Sequence, residues 1–145
     1  MFRLATLALT IPFLIGTLSC QTYSTGLQKS LVFADEAAAT GILRTVAIAQ
    51  QSYSATNNGA YGTFEELNAG GFLDSRFSSE KPVIKDYAFA METGKDDTGF
   101  FYKINADPTR TGQQAGRHFY VDHSSATIHV NPTQPASAAD PVFSQ

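Results

Sequence analysis

The stretch "LQKSLVFADEAAATGILRTVAIAQQSYSATNNG", residues 27–59, decides the fold of this chain. Its apolar and small residues recur at spacings of three, four or seven, which is the repeat of one α-helix face. Alanine is abundant, so local propensity agrees with the spacing. The run Asn57–Gly59 tolerates left-handed backbone and ends the helix. The residues of the stripe that we predict to pack between helix and sheet are Leu31, Ala38, Ile42, Val46, Ala49 and Tyr53.

Strand patterns follow the helix after an irregular connection. Apolar and small or polar residues alternate in "DYAFAMET" (86–93) and "GFFYKINA" (99–106), which is typical of half-buried strands. The segments "RHFYVD" (117–122) and "ATIHV" (126–130) flank a short loop suited to a hairpin. We therefore predict an α+β fold in which a long N-terminal helix packs on a four-stranded antiparallel sheet.

The N-terminal segment is uncharged from Leu4 to Gln28, and Arg3 precedes it. Its apolar part, "LATLALTIPFLIGTL", has 15 residues, whereas a comfortable membrane span needs about 20. A basic start and a short apolar centre indicate an export signal. The following "TLSC" resembles a bacterial lipoprotein processing site, which would make Cys20 a lipid attachment point. Three readings stay open: lipidation of Cys20, plain export with cleavage nearby, and a retained membrane anchor.

These patterns divide the chain into four parts. Residues 1–20 are an export signal or membrane anchor, and 21–26, "QTYSTG", are a short polar tether. Residues 27–131 form the α+β domain. Residues 132–145 contain three prolines without periodicity, so we expect an irregular tail.

Composition and spacing give no support for catalysis or for a cofactor. The chain has 10 basic and 13 acidic residues, scattered along its length, so no nucleic-acid-binding surface is indicated. A single cysteine excludes an intrachain disulfide and a multi-cysteine metal site. We expect no catalytic, cofactor-binding or metal-binding residues. The polar residues weighed and interpreted as exposed strand, turn or surface-pair residues are His118, His123, His129, Asp96, Asp97, Arg110, Arg117 and the pair Arg44 and Glu36.

Several segments together resemble one protein family. "DEAAATGILRTVAIAQQSY" (35–53), "GAYGTFEELNAGGFLDSRF" (59–77) and "GFFYKINADPTRTGQQAGRHFYVDHSSATIHVN" (99–131) are similar to bacterial type IV pilin-like and type II secretion pseudopilin-like proteins. The order and spacing of these segments carry the resemblance, which covers residues 27–131. The chain departs from the family at its front, because Leu4 to Leu18 contains no Asp or Glu where the family keeps an acidic residue.

The resemblance implies an exported structural or accessory protein that acts by protein–protein interaction. Its implied partners are the membrane, other pilin-like subunits and secretion components, and its implied location is the bacterial envelope, facing the periplasm or cell surface. The sequence also allows a second function, a stand-alone envelope lipoprotein that uses a pilin-like head as a binding module. The lipoprotein-like "TLSC" favours this alternative.

Overall fold

The computed structural model describes residues 20–112 and 115–144. One long helix is followed by a short helix, a single 3-10 turn and a run of strands. The helices are α1 (Cys20–Thr56) and α2 (Phe64–Ala69), and the 3-10 turn is Ser75–Phe77. The strands are β1 (Val83–Ile84), β2 (Tyr87–Asp96), β3 (Gly99–Pro108), β4 (His118–Asp122) and β5 (His129–Asn131).

The strands form one antiparallel sheet in the order β1-β2-β3-β4-β5, so every strand pairs with its neighbour in the chain. The predicted count of four strands is wrong, because the sheet of this α+β structure has five. The additional strand is β1, which has only two residues and therefore no alternation that a sequence pattern could detect. A two-residue turn joins β1 to β2, and both of its residues, Lys85 and Asp86, have positive φ.

The core lies between α1 and one face of the sheet. Leu43 and Val46 of α1 are fully buried together with Phe89, Ile104 and Phe119 of the sheet. Each large apolar side chain buried in this way contributes about 1.5–3 kcal/mol relative to exposure. The helix α2 and the segment that follows it, through the 3-10 turn, add a second part of the same core, whose members are Phe64, Leu67, Leu73 and Phe77.

The buried face of α1 is only partly the predicted stripe. Val46 and Ala49 are buried, and Ile42 and Tyr53 are partly buried and pack on the core. Ala38 is only partly buried. Leu31 is 55% exposed and is wrongly placed in the stripe, because it precedes the part of α1 that meets the sheet.

The centre of the buried face lies one residue further along the chain than predicted. Ala39 and Leu43 are completely buried, whereas Ala38 and Ile42 are not. Since each residue turns an α-helix by about 100°, this one-residue offset moves the stripe around the helix. Because α1 also has apolar residues on its other faces, the spacing alone could not distinguish a stripe through Ala38 and Ile42 from one through Ala39 and Leu43.

The ends of the chain also differ from the predicted division. The predicted tether, residues 21–26, is wrong as a separate segment, because these residues are helical and belong to α1. The predicted export signal or anchor and the side chain of Cys20 lie outside the described residues. The tail contains no helix or named strand as far as Ser144, but it is packed. Ala136 is buried, and the ring of Phe143 lies 5.3 Å from that of Phe119.

Candidate functional site

An ion pair between Glu36 and Arg117 fixes α1 on the sheet. Arg117 Nη2 lies 2.7 Å from Glu36 Oε2, and the backbone N–H of Arg117 donates to Glu36 Oε1 at 2.9 Å. The side chain of Glu36 is 7% exposed, while that of Arg117 is 39% exposed. The carboxylate is thus buried against the start of β4 and receives both charged and backbone donors, which a buried charge requires.

Aromatic side chains and a close backbone approach complete the surroundings of this pair. The hydroxyl of Tyr87 donates to the carbonyl of Arg117 at 2.7 Å, and burial raises the pKa of Tyr87, so the phenol stays a neutral donor. A Cβ on Gly116 would collide with the hydroxyl of Tyr87, which is held by its hydrogen bond to Arg117, so glycine is favoured there. The Arg117 guanidinium lies 5.1 Å from the ring centroid of Phe143. Its hydrogen bond to Glu36 raises the pKa of Arg117.

The space beside the ion pair is too small for a substrate. The cleft lined by Asp35, Tyr87, Arg110 and Gly116 among others has a volume of about 10 Å³, which is room for roughly one water molecule. Both carboxylate oxygens of Glu36 already accept hydrogen bonds from Arg117. The arrangement can therefore hold α1 and the sheet together.

The pair of Arg44 and Glu36 considered from the sequence is not formed. Arg44, weighed as a surface partner for Glu36 or for another acid on the sheet, is exposed, and the carboxylate of Glu36 contacts Arg117 instead. Glu36 and Arg117 are 81 residues apart, so no local spacing could join them. Arg110, the other arginine near the glycine-containing loop, pairs with Asp86 at 2.6 Å.

The outer face of α1 carries several exposed apolar side chains. We define it by the exposed side chains of Leu27, Leu31, Phe33 and Ile48. From Gly26 to Ala34 every residue except Val32 is exposed. Nothing lies within 4 Å of a Cβ built on Gly26 or Gly41. Exposed apolar side chains on a helix are candidate contacts for protein or membrane.

The three histidines have separate environments. His118 Nδ1 lies 2.6 Å from Asp107 Oδ1, and His129 Nδ1 lies 2.7 Å from the carbonyl of Asp140. The ring of His123 lies near three aromatic rings, those of Tyr61, Phe101 and Tyr102. In residues 20–112 and 115–144, no group of three or more His, Cys, Asp or Glu side chains is arranged to hold a metal ion.

The acidic turn between β2 and β3 is closed by its own hydrogen bonds. Asp96 Oδ1 accepts from the hydroxyl of Thr98 at 2.6 Å and from the backbone N–H groups of Thr98 and Gly99. The hydrogen bonds from Thr98 lower the pKa of Asp96. This carboxylate therefore serves as a turn residue rather than as a free ligand.

A groove of about 380 Å³ lies beside the outer edge of β2. We call it the β2 groove; it is lined by Thr63, Phe64, Glu65, Glu80, Met91, Glu92 and Thr93. The buried side chain of Gln50 holds the backbone just before Thr63, one side of the groove. Its Nε2 donates to the carbonyl of Gly62 at 2.6 Å, and its Oε1 accepts from the Gly62 N–H. Thr63 and Glu66 then form a capping box that starts α2.

Comparisons with protein-family models, with curated proteins and with solved structures gave no match to this chain. Among the described residues, no helix combines the length and the apolar character that a membrane crossing needs. The candidate functional surfaces of the chain are the outer face of α1 and the β2 groove.

Proposed function

We propose that this protein is an exported, pilin-like structural or accessory subunit of bacterial type IV pilus or type II secretion machinery. In this proposal the apolar segment Leu4–Leu18 holds the chain in the membrane, and α1 carries the head outward. The protein acts through protein–protein contacts and not as an enzyme. The observation that carries the proposal is the unbroken course of α1 from Cys20 to Thr56, with an exposed apolar face at its start.

The geometry of α1 suits such a role. Its 37 residues extend about 55 Å at 1.5 Å per residue, and the first turns lie beyond the packed core. Lys29 is the one charged residue between Cys20 and Ala34. Phe33 is 60% exposed, so its ring is available for contact with a neighbouring molecule. The resemblance of residues 27–131 to pilin-like proteins supports the same assignment.

A stand-alone envelope lipoprotein is the second candidate. It is favoured by "TLSC", which places the chain's only cysteine at a lipoprotein-like processing site. Two acyl chains on Cys20 would anchor the head stably, because each buried CH₂ contributes about 0.8 kcal/mol. In this case the apolar segment is removed and α1 begins at the anchored residue.

Intact mass spectrometry of the protein from native bacterial membranes separates these two candidates. We expect a species that keeps the apolar segment, whole or trimmed only near its start. A species that begins at Cys20 and carries the mass of a diacylglycerol group would contradict the subunit proposal and establish the lipoprotein.

Cross-linking in those membranes tests lateral contact through α1. With Cys20 replaced by serine, Leu31→Cys should form cross-links to pilin-like subunits or to other copies of this chain. Val142→Cys is the matched control, because Val142 is equally exposed but lies in the tail, on the far side of β5. Equal cross-linking of the two variants, or none from Leu31→Cys, would contradict the role of the outer face.

A further inference from the structure

The outer edge of β2 is open along half of its length. Asp96 and Gly99 close a two-residue turn, so Asp96, Gly94 and Glu92 exchange backbone hydrogen bonds with β3. The alternate residues Met91, Thr93 and Lys95 therefore direct their backbone N–H and C=O groups away from β3. Within the described residues no strand pairs with this side of β2 beyond β1, which ends opposite Ala88.

A proline ends the pairing on this side. The N–H of Phe89 donates to the carbonyl of Pro82 at 2.9 Å, as the next step of an antiparallel ladder requires. Pro82 has no N–H to return the bond to the Phe89 carbonyl. The β1–β2 ladder therefore stops at Pro82, and the groups of β2 from the Phe89 carbonyl to Lys95 stay available to another strand.

The open edge of β2 lies along the β2 groove, whose lining is negatively charged. Glu65, Glu80 and Glu92 line the groove, and no basic residue does. Glu65 and Glu80 are exposed and form no ion pair within the described part of the chain. Glu92 contacts Lys103 at 2.9 Å, but both side chains are exposed, so this pair is weak. An extended segment lying here meets the outward backbone groups of β2 and at least two carboxylates that form no ion pair within the described part of the chain.

We propose that the edge of β2 from Met91 to Lys95 is a docking site for an extended, lysine- or arginine-containing segment of a partner protein. The segment adds to the sheet as a sixth strand and hydrogen-bonds to the outward groups of Met91, Thr93 and Lys95. Its alternate basic side chains face Glu65 and Glu80 across the groove. The inference does not depend on the role of α1, so it holds or fails separately from the proposed function.

Backbone amide NMR of the full-length, ¹⁵N-labelled chain in detergent tests this docking. The probe is a capped peptide, Lys-Thr-Lys-Val-Lys-Thr-Lys, and its controls are the same peptide with Glu for Lys and the same peptide with a central Pro. We expect saturable shifts of the Met91, Thr93 and Lys95 amides with the lysine peptide. Neither control should produce them, and affinity should fall as salt rises.

Two pairs of variants locate the site. Thr93→Pro removes an outward N–H without touching the bonds to β3 and should weaken binding about tenfold, whereas Thr93→Val keeps the N–H and should bind normally. The double change Glu65→Gln and Glu80→Gln should also weaken binding, whereas Asp97→Asn, in the β2–β3 turn outside the groove, should not.

Three results of the binding experiment would overturn the proposal, and one result on the free chain would do so as well. These are binding of the glutamate peptide as strongly as the lysine peptide, shifts confined to other residues, and an absence of binding. Protection of the Met91, Thr93 and Lys95 amides from exchange in the free chain would also overturn it, because the chain itself would then cover the edge. A folded spectrum for Thr93→Pro shows that lost binding is local and not unfolding.

Discussion

Glu36 shows what one buried carboxylate does in this molecule. It lies on a helix face that otherwise presents Ala39 and Leu43 to the core, and it accepts both the backbone N–H and the guanidinium of Arg117. The pair therefore determines where α1 meets the start of β4. Removal of the carboxylate leaves a partly buried N–H without an acceptor, which costs more than the loss of an exposed pair.

Glu36→Ala should lower the free energy of unfolding by about 2 kcal/mol, because one buried charge-assisted contact and one backbone contact are lost. Partial hydration of the Arg117 side chain limits the loss. Glu92→Ala, which removes the exposed pair with Lys103, is the control and should cost about 0.5 kcal/mol or less. Urea denaturation in detergent measures both. Equal losses would contradict the structural role of Glu36.

At the scale of elements, α1 was predictable in existence but not in its start or its buried face. Residues 21–26 contain Ser, Thr and Gly, which favour turns when considered alone. In the structure they continue a helix whose backbone hydrogen bonds are already established. The face was ambiguous because Leu31 and Ile48 are apolar yet exposed.

Some strands could be predicted from the spacing of apolar residues, and others could not. β2 and β3 were predictable because ten-residue strands alternate clearly and are joined by a short polar turn. β1 was not, since its existence depends on pairing with β2 through the Lys85–Asp86 turn. The partner of Glu36 was equally hidden, because only the assembled sheet brings Arg117 to it.

Leu43→Ala should lower the free energy of unfolding by about 3 kcal/mol, because Leu43 is fully buried and the change leaves a cavity. Leu31→Ala removes the same atoms from an exposed position and should change it by about 0.5 kcal/mol or less. Thermal or urea unfolding of monomeric protein compares them. A large effect at Leu31 alone would restore the predicted stripe and contradict the observed one.

At the scale of the molecule, four turn carboxylates in the part of the chain that the structure describes accept hydrogen bonds that favour their charged form. Bonds from Arg76 lower the pKa of Asp74 from 3.8 to about 2. Bonds from Thr98 lower the pKa of Asp96, and bonds from Asn131 and Ser137 lower that of Asp140. Burial alone would raise the pKa of Asp122, but bonds from Ser124 and Tyr120 outweigh it and lower the pKa.

Stability should therefore decline on acidification from about pH 4 to pH 2. In this window the unfolded chain, whose aspartate pKa values are about 3.9, binds more protons than the folded chain. Stability that is present above the unfolded pKa is thus lost as the pH falls through the folded pKa. Urea midpoints at intervals between pH 6 and pH 2 measure the decline, and Asp140→Asn should reduce it. A midpoint that stays constant to pH 2 would contradict the assignment.

The distance along the chain between Glu36 and Arg117 also sets an order of events during synthesis. The helix is made first, but its anchoring arginine follows 81 residues later, a delay of roughly 4 to 16 seconds at about 5–20 residues per second. Meanwhile the strands, which pair only with chain neighbours, can close one hairpin at a time. The ion pair that holds α1 at the start of β4 can therefore form only after the first three strands have been synthesised.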